Sequence, residues 1–128
     1  MQHSSNKIFI GTMSGTSHDG IDICAMKFSN QISLLEFDTY NYAASLKRDI
    51  SEVIQQQELS VEKYFELNNK IGFAFSRSIR NFLAQHKINK KMLPLLVYQG
   101  RHYFTNQKVN IHFLFKLGIP KLLQMNVK

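Results

Sequence analysis

Small, hydroxyl-bearing and acidic side chains are concentrated near the start of the chain, between two short apolar runs. Residues 8–22 read Ile-Phe-Ile-Gly-Thr-Met-Ser-Gly-Thr-Ser-His-Asp-Gly-Ile-Asp. Backbone N–H groups in a turn of small residues, together with Ser and Thr hydroxyls, suit the oxygens of a phosphate chain. Asp19 and Asp22 are carboxylates of the kind that hold a hydrated Mg²⁺ beside phosphates. The segment predicts a phosphate-binding turn; a decorated hairpin turn is the alternative, since these are ordinary turn residues.

The spacing of the glycines excludes two common phosphate-binding motifs. A Walker A loop has a lysine directly after its second glycine, whereas Thr16 follows Gly15 here. A Rossmann Gly-x-Gly-x-x-Gly motif opens a helix, but a strand-like apolar run follows this segment. Apolar runs on both sides of Asp19-Gly20 favour a β-hairpin instead.

The segment Gly-Thr-Met-Ser-Gly-Thr-Ser-His-Asp-Gly-Ile-Asp resembles the N-terminal signature of the bacterial anhydro-N-acetylmuramic acid kinases, Gly-x-Met-Ser-Gly-Thr-Ser-x-Asp-Gly-x-Asp. Every fixed position of that signature is met, and His18 occupies a variable one. The resemblance implies ATP and Mg²⁺ as cofactors. It implies that ATP is bound by the hairpin residues Gly15, Thr16, Ser17, His18, Asp19, Gly20, Ile21 and Asp22.

The resemblance also implies the reaction of that family. These kinases open 1,6-anhydro-N-acetylmuramic acid with water and phosphorylate it from ATP, giving N-acetylmuramic acid 6-phosphate in peptidoglycan recycling. The resemblance covers nearly the whole chain but about the first third of a typical member. The family's catalytic aspartate lies beyond Lys128, so no catalytic residue is assigned. We therefore expect a truncated kinase that is inactive alone.

Two sugar-side motifs of the kinases are altered in this chain. Gln99-Gly100-Arg101-His102 stands where the family has His-Gly-Gln-Thr, and Lys116-Leu117-Gly118-Ile119 stands where it has Gln-x-Gly-Asp. Lost amide and carboxylate groups predict weak binding of the anhydro amino sugar, because sugar sites discriminate through such polar contacts. The alternative function is a non-catalytic module that binds nucleotide, or that is completed by a C-terminal lobe or by self-association.

Apolar periodicity predicts the elements that must position the turn. Strands over 8–13, 21–28 and 32–41 form an antiparallel meander, with Ile32, Leu34 and Phe37 facing inward. A helix begins after Ser45 as N-cap and ends near Gln56. Strands over 92–98 and 111–117 follow the helices.

A second helix of about 25 residues begins at the N-cap Ser60. Its apolar stripe consists of Val61, Tyr64, Phe65, Leu67, Ile71, Phe75, Ile79, Phe82 and Leu83.

This order, with the resemblance, implies an α/β fold: the N-terminal lobe of a ribonuclease H-like (actin-like ATPase) domain, with a mixed sheet, packed helices and an incomplete core. One partial lobe spans residues 1–128. It comprises the meander with its phosphate hairpin at 8–41, helices at 45–85, and a strand with a degenerate sugar-side loop at 92–128.

Composition limits the classes of partner. The 128 residues suit one domain, and no apolar run approaches the ~18 residues of a membrane span. One cysteine and an N-terminus without a signal-like apolar region predict a cytoplasmic protein with no membrane partner. All nine acidic residues precede Leu67, and eleven basic residues follow it. Because these are scattered singly, nucleic-acid binding is less favoured than a lobe whose acidic complement is missing.

Overall fold

The strands form a mixed sheet that is covered by two helices on one face. The computed structural model describes residues 7–15, 19–55, 59–89, 93 and 96–98. Its elements are β1 (Ile8–Met13), β2 (Gly20–Phe28), β3 (Ile32–Asn41), α1 (Ala44–Gln55), α2 (Val61–Gln85) and β4 (Leu96–Tyr98). The sheet order is β3-β2-β1-β4, with antiparallel pairing among the first three strands and parallel pairing of β4 with β1. The predicted α/β class with a mixed sheet is therefore confirmed.

The predicted meander is confirmed nearly to the residue. β1 and β3 have the predicted bounds, and β2 begins one residue early because Gly20 pairs with Asn41. Of the strand predicted over 92–98, the structure describes the part from Leu96 to Tyr98 as strand. The strand predicted over 111–117 lies outside the described residues.

The two helices differ in how well their starts were predicted. Ser60 is the N-cap of α2, since its side chain accepts a hydrogen bond from the N–H of Lys63 at 3.2 Å, and α2 has the expected 25 residues. Ser45 is not the cap of α1. The N–H of Lys47 already donates to the carbonyl of Ala43 at 3.0 Å, so helical bonding begins earlier and Ser45 lies in the first turn.

The core lies between the helices and one face of the sheet, the inner face. Alternate residues of β2 are buried there, as a strand with one covered side requires. The buried core residues are Ile10, Ile21, Ile23, Ala25, Tyr42, Leu46, Ile50, Val53, Leu67, Ile71, Phe75, Ile79, Phe82 and Leu83. Val61 and Phe65 do not belong to it, because they are 71% and 50% exposed at the outer side of α2.

The opposite, outer face of the sheet is apolar and is left open by the described residues. By the strand register it carries Phe9, Met13, Cys24, Met26, Phe28, Ile32, Leu34 and Phe37. The predicted inward orientation of Ile32, Leu34 and Phe37 is wrong: they are 69%, 64% and 55% exposed. They share one face, as predicted, but it is the face away from the helices.

A β-bulge explains why these three residues share a face despite their spacing. Ala25 pairs with Glu36, whereas its neighbour Met26 pairs with Leu34, so Leu35 is the extra residue on β3. Side chains alternate across a strand, and one extra residue inverts that alternation. Even-numbered residues before the bulge therefore face the same side as odd-numbered residues after it.

Polar contacts attach the C-terminal end of α2 to β3. His86 Nδ1 lies 3.1 Å from Glu36 Oε2, and His86 Nε2 contacts Asp38 Oδ2. Gln85 Nε2 donates to Asp38 Oδ2 at 3.0 Å, and the Tyr40 hydroxyl donates to Gln85 Oε1 at 3.1 Å. Since both ring nitrogens of His86 face carboxylates, only the protonated ring donates to both. The helix end is thus fixed over the edge strand.

No helix in the described part of the chain combines the length and the apolar character needed to cross a membrane.

Candidate functional site

The glycine-rich connection between β1 and β2 lies at one end of the sheet. β4 runs parallel to β1, and Tyr98 is opposite Thr12, so both strands end near this connection. Of the eight predicted binding residues, the structure describes Gly15, Asp19, Gly20, Ile21 and Asp22. Thr16, Ser17 and His18 lie outside the described residues.

Buried hydrogen bonds join the two sides of this connection. The Ser14 hydroxyl, on the β1 side, donates to the carbonyl of Gly20, on the β2 side, at 2.9 Å. The Tyr42 hydroxyl donates in turn to Ser14 Oγ at 3.1 Å. Ser14 and Tyr42 are 1% and 5% exposed, so water does not compete for these bonds. The connection is closed at its base whatever its tip binds.

Tyr42 holds the connection a second time through its backbone. Its N–H donates to the carbonyl of Asp19 at 3.2 Å. Burial raises the pKa of the Tyr42 phenol to about 12, while the hydrogen bond with Ser14 acts in the opposite direction. The phenol therefore stays neutral and remains a donor at ordinary pH.

Gly20 is required by the closeness of β3. A Cβ added to Gly20 would lie 2.5 Å from the carbonyl oxygen of Tyr40, which is backbone and cannot turn aside. The following residue, Ile21, is 1% exposed and points into the core. Within the predicted set, Gly20 shapes the connection, and Ile21 has only its backbone to offer a ligand.

Asp22 is held by a residue from the neighbouring strand. The Thr39 hydroxyl donates to Asp22 Oδ1 at 2.7 Å, which fixes the carboxylate on the outer face of the sheet. Oδ2 of Asp22 makes no hydrogen bond within the part of the chain that the structure describes. Asp19 is exposed. One free carboxylate oxygen on a fixed side chain, with a second carboxylate nearby in the same turn, fits a cation that keeps most of its water.

The described residues do not form a complete metal site by themselves. Among them, no three His, Cys, Asp or Glu side chains are placed to hold an ion together. Mg²⁺ usually takes one or two protein carboxylates, and waters and substrate phosphates complete its shell. The chemistry of Asp19 and Asp22 therefore fits a Mg²⁺ that arrives with a phosphate ligand.

The negative charge of the connection also indicates that a phosphate ligand needs a cation beside it. Between Met13 and Asp22, the side chains that carry full charge at neutral pH are Asp19 and Asp22, and there is no lysine or arginine. A phosphate chain is anionic, so these carboxylates repel it unless a cation lies between them. Backbone N–H groups orient phosphate oxygens, but they do not cancel this repulsion.

Two supporting residues, Thr39 and Tyr42, are absent from the sequence prediction. The feature that could have identified them is the pairing of β2 with β3, whose register is set by the turn at residues 29–31. Without the bulge, that turn would place Asp38 opposite Asp22, and two carboxylates would meet. The extra residue Leu35 brings Thr39 there instead. The three-residue step between the apolar residues Leu34 and Phe37 is consistent with that shift, and the repulsion of two aspartates is a physical reason for it.

Comparisons with known proteins agree with the signature in this connection. The sequence profile described as anhydro-N-acetylmuramic acid kinase matches residues 7–127. A protein of that name from Gamma-proteobacterium EBAC31A08 is 31% identical over 119 residues, covering 93% of this chain and 33% of the relative.

Two further relatives carry the same name. The protein from Actinobacillus pleuropneumoniae serotype 7 (strain AP76) is 28% identical over 120 residues, covering 93% of this chain and 32% of its own length. The protein from Legionella pneumophila (strain Corby) is 30% identical over 112 residues, covering 87% of this chain and 30% of the relative. The chain thus spans about a third of the length of the curated relatives it matches.

Proposed function

The chain belongs to the anhydro-N-acetylmuramic acid kinase family, and from that premise we propose that its β1–β2 connection binds the phosphates of ATP together with Mg²⁺. The observation that carries the proposal is the pair of buried hydrogen bonds from Tyr42 to Ser14 and from Ser14 to Gly20. They close the base of the connection independently of any ligand. Because the base of the turn is already fixed, little further conformational entropy is lost when phosphate binds.

Each part of the connection has a separate role in this proposal. Gly15, Thr16 and Ser17 offer N–H and hydroxyl donors to phosphate oxygens, and Asp19 and Asp22 hold water of the hydrated cation. Thr39 orients Asp22 by its 2.7 Å hydrogen bond. When bound, Mg²⁺ neutralises charge on the phosphates, which is the main chemical demand of phosphoryl transfer.

We propose the reaction of the family as the activity to which this lobe contributes. That reaction is the ATP-dependent conversion of 1,6-anhydro-N-acetylmuramic acid to N-acetylmuramic acid 6-phosphate in peptidoglycan recycling, in the cytoplasm, where ATP is available. Phosphoryl transfer needs positioned groups on both sides of the nucleotide. Turnover therefore requires the portion of the relatives that this chain does not span, and the chain alone is inactive. Phosphorylation of the anhydro sugar by the pure chain, abolished by Asp19→Ala, would refute that inactivity.

We also propose that the fold is the N-terminal lobe of a ribonuclease H-like domain. The support is a meander of three strands, a helical connection, and a return to a strand parallel to β1. The partial lobe then comprises the hairpin region, the helices and a sugar-side segment.

The proposal is tested by titrating the isotope-labelled chain with Mg-ATP and following backbone amide NMR signals. We expect saturable shifts at Gly11, Gly15 and Gly20. ATP with a chelator in place of Mg²⁺ should give no shifts, because the connection is itself negatively charged. Asp22→Asn should weaken binding, whereas Glu62→Gln, which removes an exposed carboxylate from α2, should leave it unchanged. Equal shifts with and without Mg²⁺, or none at all, would refute the proposal.

A second candidate function is that of a module completed by another polypeptide. The exposed apolar residues of the outer face favour it, since a covering surface would remove them from water. Its test is to mix the chain with a separately produced polypeptide that corresponds to the remaining two thirds of the gamma-proteobacterial relative, and to assay ATP-dependent phosphorylation. Turnover in the mixture alone would support completion, and the absence of any interaction at high concentration would oppose it.

A further inference from the structure

The outer face of the sheet has a hollow near its centre, a cavity of about 320 Å³. Its floor is formed by Gly11 and Cys24, two small residues that face each other across β1 and β2. Met13, Met26 and Phe37 form its walls. Protein interiors are close-packed and leave few voids of this size. An element that covers this face would therefore fill the hollow with a large apolar side chain.

The rest of the outer face consists of a wide apolar area and one polar end. Phe9 and Phe28 pack edge to face in the apolar area, with ring centroids 4.9 Å apart, and Leu34 is 64% exposed there. At the polar end the Thr39 hydroxyl bonds to Asp22. A covering element thus meets apolar side chains over most of its length, and polar ones only beside the β1–β2 connection.

The strand directions indicate which kind of element covers this face. β4 runs parallel to β1, and β3 has the same direction because two antiparallel pairings separate it from β1. Parallel strands are typical of sheets with helices on both faces. The described residues provide helices, α1 and α2, for the inner face. A helix is therefore the expected cover of the outer face.

The crossover from β3 to β4 shows where such a helix cannot easily come from. It passes over the inner face through α1 and α2. Parallel crossovers are right-handed in almost all cases, so a parallel strand added beyond β4 would again be reached across the inner face. The outer face is thereby left to another part of the polypeptide. The chain spans about a third of the length of its relatives, so two thirds of each relative can contain that part.

We propose that the outer face binds an amphipathic helix from the portion of the relatives that this chain does not span, with one large apolar side chain of that helix in the hollow. This rests on the second candidate function, completion by another polypeptide, and names the surface at which completion takes place. The nine residues of β2 span roughly 30 Å, so a helix of about five turns covers the face from end to end.

Cys24 provides the test, because it is the only cysteine of the 128 residues and lies in the floor of the hollow. The chain is produced alone and together with a polypeptide that corresponds to the remaining two thirds of the gamma-proteobacterial relative. Mass spectrometry then measures how fast N-ethylmaleimide alkylates Cys24. Since a covered thiol does not react, we expect alkylation to be at least roughly tenfold slower in the complex. An unchanged rate in the presence of the second polypeptide would overturn the inference.

Two substitutions in the hollow give a second readout, the affinity of the two polypeptides in sedimentation experiments. Gly11→Ala adds a methyl group that lies 3.1 Å from the Cys24 sulfur, and should weaken association at least roughly fivefold by overfilling the hollow. Phe37→Lys places a charge in the contact and should weaken it at least roughly tenfold. Val61→Lys, on α2, is the matched control and should have no effect. Urea unfolding verifies that each variant is folded; equal affinity of all three variants would refute the role of the hollow.

The possible results distinguish this inference from the proposed functions. Protection of Cys24 without turnover would support the surface and count against the completed activity, whereas turnover with an unprotected Cys24 would support completion and overturn the surface. Protection that rises with the concentration of the chain alone, and that the second polypeptide does not increase, would assign the face to a second copy. Protection in the chain alone at every concentration would assign it to this chain's own residues. Either of these last two results would overturn the inference, whatever the result with Mg-ATP.

Discussion

Tyr42 is the residue on which the geometry of the β1–β2 connection most depends. It immediately follows β3, is almost fully buried, and bonds to both sides of the connection. Ser14, which the family signature includes, acts as the intermediate between Tyr42 and Gly20. At this position the signature serine has a structural contact, whereas the sequence alone favours a contact with phosphate for every hydroxyl of the turn.

The burial of Tyr42 predicts a loss of stability at alkaline pH. Its pKa is raised from 10.0 to about 12 in the folded chain, so folding favours the neutral phenol. This contribution is complete below about pH 10 and is lost as pH rises through about 12, by up to about 2–3 kcal/mol. Urea unfolding across that range should show it. Tyr42→Phe should remove this decrease of the unfolding free energy with pH, whereas Tyr40→Phe, at a mostly exposed hydroxyl, should retain it. An unchanged pH dependence in Tyr42→Phe would contradict the prediction.

Two glycines in neighbouring strands should respond differently to the same substitution. Gly20→Ala places a methyl group against the backbone carbonyl of Tyr40, so the end of the β2–β3 ladder must separate, at a cost of about 2–3 kcal/mol. Gly11→Ala brings the methyl group 3.1 Å from the Cys24 sulfur, a side chain that can move, and should cost less than about 1 kcal/mol. Urea unfolding of both variants measures the difference. Equal costs would show that the approach of β3 to Gly20 is relaxed in solution.

At the scale of the elements, strand bounds could be predicted from the sequence, but strand faces could not. Polar turns delimit β1, β2 and β3 clearly, and a stripe of period 3.6 defines α2. Which face the helices cover depends on how the chain crosses the sheet after β3. The predicted inward set of β3 was wrong because the helix side of this strand is polar, and Glu36 and Asp38 contact His86 there. Likewise Asp22 could be identified from its motif, whereas Thr39 could not, because the bulge at Leu35 decides their pairing.

The end of α2 offers a substitution that should stabilise the chain. Lys87 has a φ of 53°, in the left-handed region, and the N–H of Ile88 bonds to the carbonyl of Leu83 at 2.9 Å, the pattern of a Schellman cap. Glycine adopts this conformation without a steric cost. Lys87→Gly should therefore raise the free energy of unfolding by about 0.5–1 kcal/mol, and Lys87→Ala should not. Thermal or urea unfolding distinguishes them; an equal effect of both would exclude the backbone as the cause.

At the scale of the whole molecule, the outer face of the sheet governs behaviour in solution. Apolar side chains on this face continue to β3, which is the edge strand of the described sheet. An exposed apolar edge associates with other copies. Replacing both Leu34 and Phe37 by lysine should shift the chain toward monomer in sedimentation experiments. Val61→Lys, at an exposed apolar residue of α2 away from the outer face of the sheet, should not; a native chain that is monomeric at all concentrations would contradict the prediction.

The bulge at Leu35 also determines where the chain can change in length. A residue gained or lost in the turn at 29–31 leaves the pairing of Asp22 with Thr39 intact, because the strands beyond the bulge keep their register. One residue gained or lost between Glu36 and Thr39 would bring a different side chain opposite Asp22 and turn the following residues to the other face. Insertions and deletions during evolution should therefore accumulate in the turn at 29–31 and be excluded from the stretch between Glu36 and Thr39.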